Sequence, residues 1–174
     1  MIKDIKKILR RVEKSSKDAN RLYFLSKDYK IPFDIVYGIY LIETTYRPVF
    51  YRVVEYIVAS FRLLLAVLFN VPINNYTVGK CQIGIGVILA FWGYSNANLY
   101  SKKIFGITME QAVKILKSFF WQYNSIIFVW RINILYKNCS INDYNTLIRN
   151  IGYLYNGKMV YGYVLEELIS KRAI

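Results

Sequence analysis

Pro32-Phe33-Asp34-Ile35-Val36-Tyr37-Gly38-Ile39-Tyr40-Leu41-Ile42-Glu43-Thr44-Thr45-Tyr46-Arg47-Pro48 is the stretch on which the fold turns. Pro32 suits the first turn of a helix, where its missing N–H would have had no partner anyway. Ile31 before it is held extended. Ile35, Val36, Ile39, Tyr40 and Ile42 then recur at helical spacing. The helix is predicted to end near Glu43, because Thr44, Thr45 and then Pro48 break it. An acidic side chain therefore stands at the end of an otherwise apolar helix.

Outward from this centre the chain reads as further helices. Residues 2–25 are amphipathic, with Ile2, Ile5, Leu9, Val12, Ala19 and Leu22 on one side and mostly Lys and Arg on the other. That basic face is either a solvated surface or an anchor for a membrane or wall, and residues 1–30 are set apart as an N-terminal basic helix. A helix is expected over Val49–Phe69 and a loop over Val71–Lys80, which holds Pro72, Asn74, Asn75 and Gly79. Thr77 is expected to cap or precede a helix running to Phe91, with Gly93 near its end. Thr108 and Gln111 are spaced as a capping box opening a long helical region to about Lys137. Ser140 and Asp143 start another helix ending near Tyr155, and a last one covers Val160–Lys171. The expected fold class is mostly or all α, with residues 31–174 forming one unit together with the N-terminal helix.

The bulk numbers narrow the chemistry. At 174 residues and 55% hydrophobic, the chain can bury a core. Its 24 Lys and Arg against 11 Asp and Glu give a net charge of +13, which favours anionic surroundings. Histidine is absent, which removes Ser-His and Cys-His catalysis. With only Cys81 and Cys139 as thiols, no metal site and no cofactor are expected. Both cysteines are read as buried thiols rather than a disulfide. No signal-peptide run follows Met1. The most apolar window, Val53–Val71, contains Glu55 and Arg62, and 119–136 contains Gln122, Asn124, Arg131 and Asn133, so both read as buried or amphipathic helices.

The acids can be taken one at a time. Asp4, Glu13, Asp18 and Asp28 sit among lysines and arginines, where surface pairing accounts for them. Asp34, Glu110 and Asp143 fall in first turns of helices, where the dipole favours a carboxylate. Glu166 and Glu167 occupy the polar end of the last helix. Glu43 and Glu55 alone stand in strongly apolar surroundings. A carboxyl so placed favours its neutral form and can donate a proton near neutral pH. Glu55, the second candidate acid, has Arg52 three residues earlier as an ion-pair partner, and Arg47 offers the same to Glu43 at i+4.

Three segments in order resemble the lytic transglycosylases and goose-type lysozymes of the lysozyme-like superfamily. Ile39-Tyr40-Leu41-Ile42-Glu43-Thr44-Thr45-Tyr46-Arg47-Pro48 is similar to the family's helix ending in the catalytic glutamate. Thr77-Val78-Gly79-Lys80-Cys81-Gln82-Ile83 is similar to its glycine-containing loop leading into a glutamine-bearing helix. Ile151-Gly152-Tyr153-Leu154-Tyr155-Asn156-Gly157 resembles its Tyr-Asn before glycine. The chain departs from the pattern with Thr44 for serine, Lys80 for a small residue, and Cys81 for a larger apolar one.

The resemblance implies a lysozyme-like helical domain that cleaves peptidoglycan glycan strands. Glu43 would be the acid/base. Gln82 would line the sugar cleft, Tyr155 would hydrogen-bond near the glutamate, and Thr44 and Asn156 would lie against substrate. It implies a single-glutamate mechanism at the bond between N-acetylmuramic acid and N-acetylglucosamine, acting at the bacterial cell wall or periplasm after non-classical export or delivery. Two other readings stay open: a non-catalytic lysozyme-like binding or structural protein, and a basic membrane-associated helical protein. Contact with an anionic membrane or wall polymer fits the charge. Nucleic acid is not an expected partner, since the Lys and Arg are scattered rather than gathered in one aromatic-interleaved stripe.

Overall fold

The computed structural model describes residues 16–46, 49–94, 102–139 and 143–171. In chain order its helices are α1 (Ser16–Asp28), α2 (Phe33–Tyr46), α3 (Val49–Phe69), α4 (Ile85–Phe91), α5 (Met109–Lys117), α6 (Trp121–Asn138), α7 (Tyr144–Asn156) and α8 (Met159–Ser170). Four two-residue strands join them: β1 (Ile73–Asn74), β2 (Thr77–Val78), β3 (Ile83–Gly84) and β4 (Lys103–Ile104). Helix takes 74% of the described residues and strand 6%, so the protein is mostly α. Most of the expected N-terminal helix, together with Arg47, Pro48 and Ser140, lies outside the described residues.

The chain divides into two units. One takes the residues up to Tyr46 and those from Val129 onward; the other runs from Arg47 to Phe128. In the first unit α2 is the central element. Every residue from Ile35 to Ile42 is buried, as befits a helix that is apolar on all sides. α1 and α8 pack against it. The helix does not stop at Glu43 as the threonines led one to expect. Thr44 and Thr45 are buried, and their hydroxyls donate back to the Tyr40 and Leu41 carbonyls at 2.9 and 2.7 Å. Satisfied in this way, the two hydroxyls ride inside the last turn and the helix continues to Tyr46.

Tyrosine hydroxyls link the neighbouring helices to the acids of α2 and α1. Tyr40 donates to Asp18 at 2.6 Å, Tyr144 to Asp34 at 2.7 Å and Tyr161 to Glu43 at 2.9 Å. Asp18 is thus bound across a helix interface, not merely paired on the surface. Burial, with the Asp34 bond adding to it, pushes the Tyr144 phenol above its ordinary range. The folded state therefore holds the neutral phenol more tightly than the unfolded chain does. That stabilisation is complete below pH about 10 and is lost as pH rises beyond it. The melting temperature is expected to fall through this alkaline window, and to fall less steeply in Tyr144→Phe. Equal slopes for both proteins would count against it.

The α7–α8 hairpin is built from local chemistry. Asp143 caps α7 by accepting from the Thr146 N–H at 2.8 Å. Gly157, at φ 80°, ends the helix in the left-handed conformation that suits glycine. The two helices then close on each other at Gly152 and Gly162. A Cβ on Gly162 would lie 2.2 Å from the Arg149 carbonyl oxygen, and one on Gly152 would lie 2.7 Å from the Gly162 Cα.

In the second unit α3 has the limits that the sequence implied, and one side of it packs against α5. The segment expected as a plain loop contains paired strands: β1 runs antiparallel to β4, and β2 to β3. Thr77 pairs with Gly84 in the second ladder instead of capping a helix. α4 starts at Ile85, where the Asn75 side chain accepts from the Gly86 N–H at 2.9 Å.

The Thr108–Gln111 capping box is present, but the long helix expected after it is broken after Lys117. Asn124, fully buried, explains the break. Its amide donates to the Ser118 carbonyl at 2.9 Å, while its oxygen accepts from the Cys81 N–H at 2.8 Å. One side chain thus ends α5 and holds the β2–β3 turn to α6. Cys81 and Cys139 are free thiols; Cys81 is buried and Cys139 only half-buried. No described helix is long and apolar enough to cross a membrane.

Candidate active site

Glu43 lies three residues before the end of α2 and is half-buried. The apolar run before it places the carboxyl at the edge of the first unit's core. Tyr161, in the first turn of α8 and 9% exposed, donates its hydroxyl to Glu43 Oε1 at 2.9 Å. A phenol on one carboxylate oxygen fixes the plane of the group, leaving the carboxyl chemistry on a defined side. Tyr155 of α7 lies next to this pair, its ring 6.1 Å from that of Tyr161 and tilted by 31°. The Gly157 turn lets consecutive helices deliver both tyrosines to one place.

Tyr161 thus gives the glutamate a hydroxyl, beside the Tyr155 that the resemblance pointed to. Sequence reading passed over Tyr161, although a signal was present. Gly162 sits inside a helix, where glycine is costly and usually marks a close approach. Its neighbour then belongs at that interface.

The other expected site residues are placed as follows. Thr44 is 5% exposed, with its hydroxyl donating to the Tyr40 and Leu41 carbonyls. Asn156 is exposed at the last position of α7, beside Gly157. Gln82 and Glu55 belong to the second unit. Gln82 is not on a helix; it ends the β2–β3 turn at φ 52°. Its side chain accepts from the Thr77 hydroxyl at 2.8 Å and donates to the Gly79 carbonyl at 3.1 Å. That amide staples the turn. Glu55 is half-buried on α3, one turn after Arg52.

The remaining described acids of the first unit are mostly engaged. Asp18 and Asp34 accept from tyrosines, Asp143 caps α7, Glu166 pairs with Arg149 at 3.3 Å, and Glu167 pairs with Lys171. Asp34 shares the apolar helix, the partial burial and a tyrosine of the α7–α8 hairpin, but it lies in the first turn of α2; Glu43 follows the buried run Ile35–Ile42 and meets a tyrosine that is itself 9% exposed. No family model matches this sequence, and no curated protein or solved structure is significantly similar to it.

Proposed function

We propose that the protein is a peptidoglycan-cleaving lytic transglycosylase with Glu43 as its single acid/base. The observation that carries this reading is the 2.9 Å bond from Tyr161 to a half-buried Glu43 near the end of α2, with Tyr155 alongside. The ordered motifs resembling lytic transglycosylases add to it.

In this reading Glu43 enters as the neutral acid and gives its proton to the glycosidic oxygen between N-acetylmuramic acid and N-acetylglucosamine. The bond from the muramic C1 to that oxygen breaks, and the N-acetylglucosamine side leaves as an alcohol. The substrate's acetamido oxygen stabilises the electron-poor C1, as in substrate-assisted glycosidases. Glu43, now ionised, takes the proton from the muramic 6-hydroxyl as that oxygen bonds to C1. The acid is restored and a 1,6-anhydro ring is closed. A hydroxyl on the same sugar has the high effective concentration that favours it over water. Tyr161 is a positioning residue that holds the carboxyl plane through both transfers.

The test is digestion of purified cell wall followed by mass spectrometry. Muramic ends one water lighter than hydrolysed ones are expected. Hydrolysed ends alone would replace the ring closure with a lysozyme-type hydrolysis. Wall binding without any soluble fragments would favour the non-catalytic reading. Tyr161→Phe should lower kcat about tenfold with little change in KM, the loss of one orienting hydrogen bond. An unchanged kcat would remove Tyr161 from the machinery.

A further inference from the structure

α3 carries apolar side chains on two sides, one buried and the other exposed. Ala59, Leu63 and Ala66, on the side that packs against α5, are at most 1% exposed. Further round the helix Phe50, Val54, Ile57, Phe61, Leu64 and Leu68 follow one another every three or four residues, with Leu64 bordering the groove shared with α5. Their exposures run from 42% at Val54 to 73% at Phe50. At a rise of 1.5 Å per residue this row is about 27 Å long. No charged side chain interrupts it. A contiguous apolar surface of this extent marks a site of interaction.

Charge indicates what covers it. Between Arg47 and Phe128 the sequence holds eight Lys and Arg against two acids, Glu55 and Glu110. Arg62 is exposed at one border of the row. At the other border, beside Val53 and Tyr56 of α3, a cavity of about 460 Å³ is walled by Phe119, Phe120 and Trp121. Its charged lining residues are Arg52 and Lys80, with no acid, and the Lys80 ammonium sits 4.8 Å from the centre of the Trp121 ring. Apolar walls under a cationic rim complement an acyl chain beneath an anionic headgroup. A second copy of this chain would instead bring two strongly positive units together. With no described helix able to cross a bilayer, the surface suits a helix lying in the plane of the interface.

We propose that the outer face of α3 docks on an anionic lipid surface, its apolar row entering the headgroup layer and the unit's excess of Lys and Arg over acids drawing it to the lipid phosphates. This reading is independent of glycan cleavage.

The test is sedimentation of the full chain with vesicles of phosphatidylcholine alone or mixed with phosphatidylglycerol. Binding is expected to the mixed vesicles and to weaken as salt is raised. The double variant I57E/F61E changes two side chains that are each 61% exposed, so helicity and melting should match wild type. Its partition should drop at least about a hundredfold, since two large apolar groups no longer leave water. Phe24→Glu, on α1 and 66% exposed, should bind like wild type. Wild-type protein left in the supernatant at low salt would overturn the proposal. So would equal loss from Phe24→Glu. A lipid-free dimer that I57E/F61E dissociates, with vesicle binding unchanged, would assign the face to a second copy instead.

Discussion

Glu43→Gln is expected to abolish glycan cleavage, by about a thousandfold or more, with the fold intact. The amide has the shape of the carboxyl and can still accept from Tyr161, whose hydroxyl donates to Glu43 Oε1. What it lacks is a proton that it can give to the leaving oxygen and recover from the 6-hydroxyl. General acid–base transfer contributes about 10²–10⁴ in rate, and in the proposed mechanism one group performs both transfers. Turnover on cell wall and circular dichroism should be measured on the same preparation. Wild-type turnover with an unchanged spectrum would remove Glu43 from the chemistry. Activity lost together with the helical signal would identify Glu43 as a packing residue instead.

Gly162→Ala should destabilise the first unit by about 3 kcal/mol, at the upper end of what overpacking costs. The added carbon would lie 2.2 Å from the Arg149 carbonyl oxygen and 3.0 Å from its carbon. These are backbone atoms of a neighbouring helix and cannot rotate aside, so α7 and α8 must separate. Separation also draws Tyr161, the adjacent residue, away from Glu43. The melting transition should fall by roughly 6–12 °C, and turnover should fall with it. Val160→Ala, two residues earlier and 63% exposed, should move the transition by less than about 2 °C. Similar effects from the two substitutions would mean that the glycine contact is not tight in solution.

Sequence alone was a good guide wherever a signal and its partner lie close in the chain. The Thr108–Gln111 box, the Asp143 cap and the Gly157 helix end all satisfy backbone groups within four residues. It failed where the deciding partner is distant. The break after α5 depends on Asn124, whose side chain also reaches the Cys81 N–H 43 residues away. Tyr161 meets Glu43 across 118 residues, a pairing that no local pattern marks. Gln82, expected on a helix, ends a turn and binds Thr77 and Gly79 within it. The carboxylate of the candidate site was legible because an acid in an apolar run is rare. The group that orients it was not, because a tyrosine in an apolar helix is ordinary.

The discontinuity of the first unit has a consequence for synthesis. Its first part ends at Tyr46 and its second begins at Val129, with the other unit between them. On a ribosome the second unit can be complete while α2 still waits for α7 and α8. At about 5–20 residues per second, that wait lasts on the order of several seconds. For that time the buried helix α2 has no α8 to close over it. Nascent protein should therefore depend on a holding chaperone, or on slow translation past the second unit, far more than its modest length suggests.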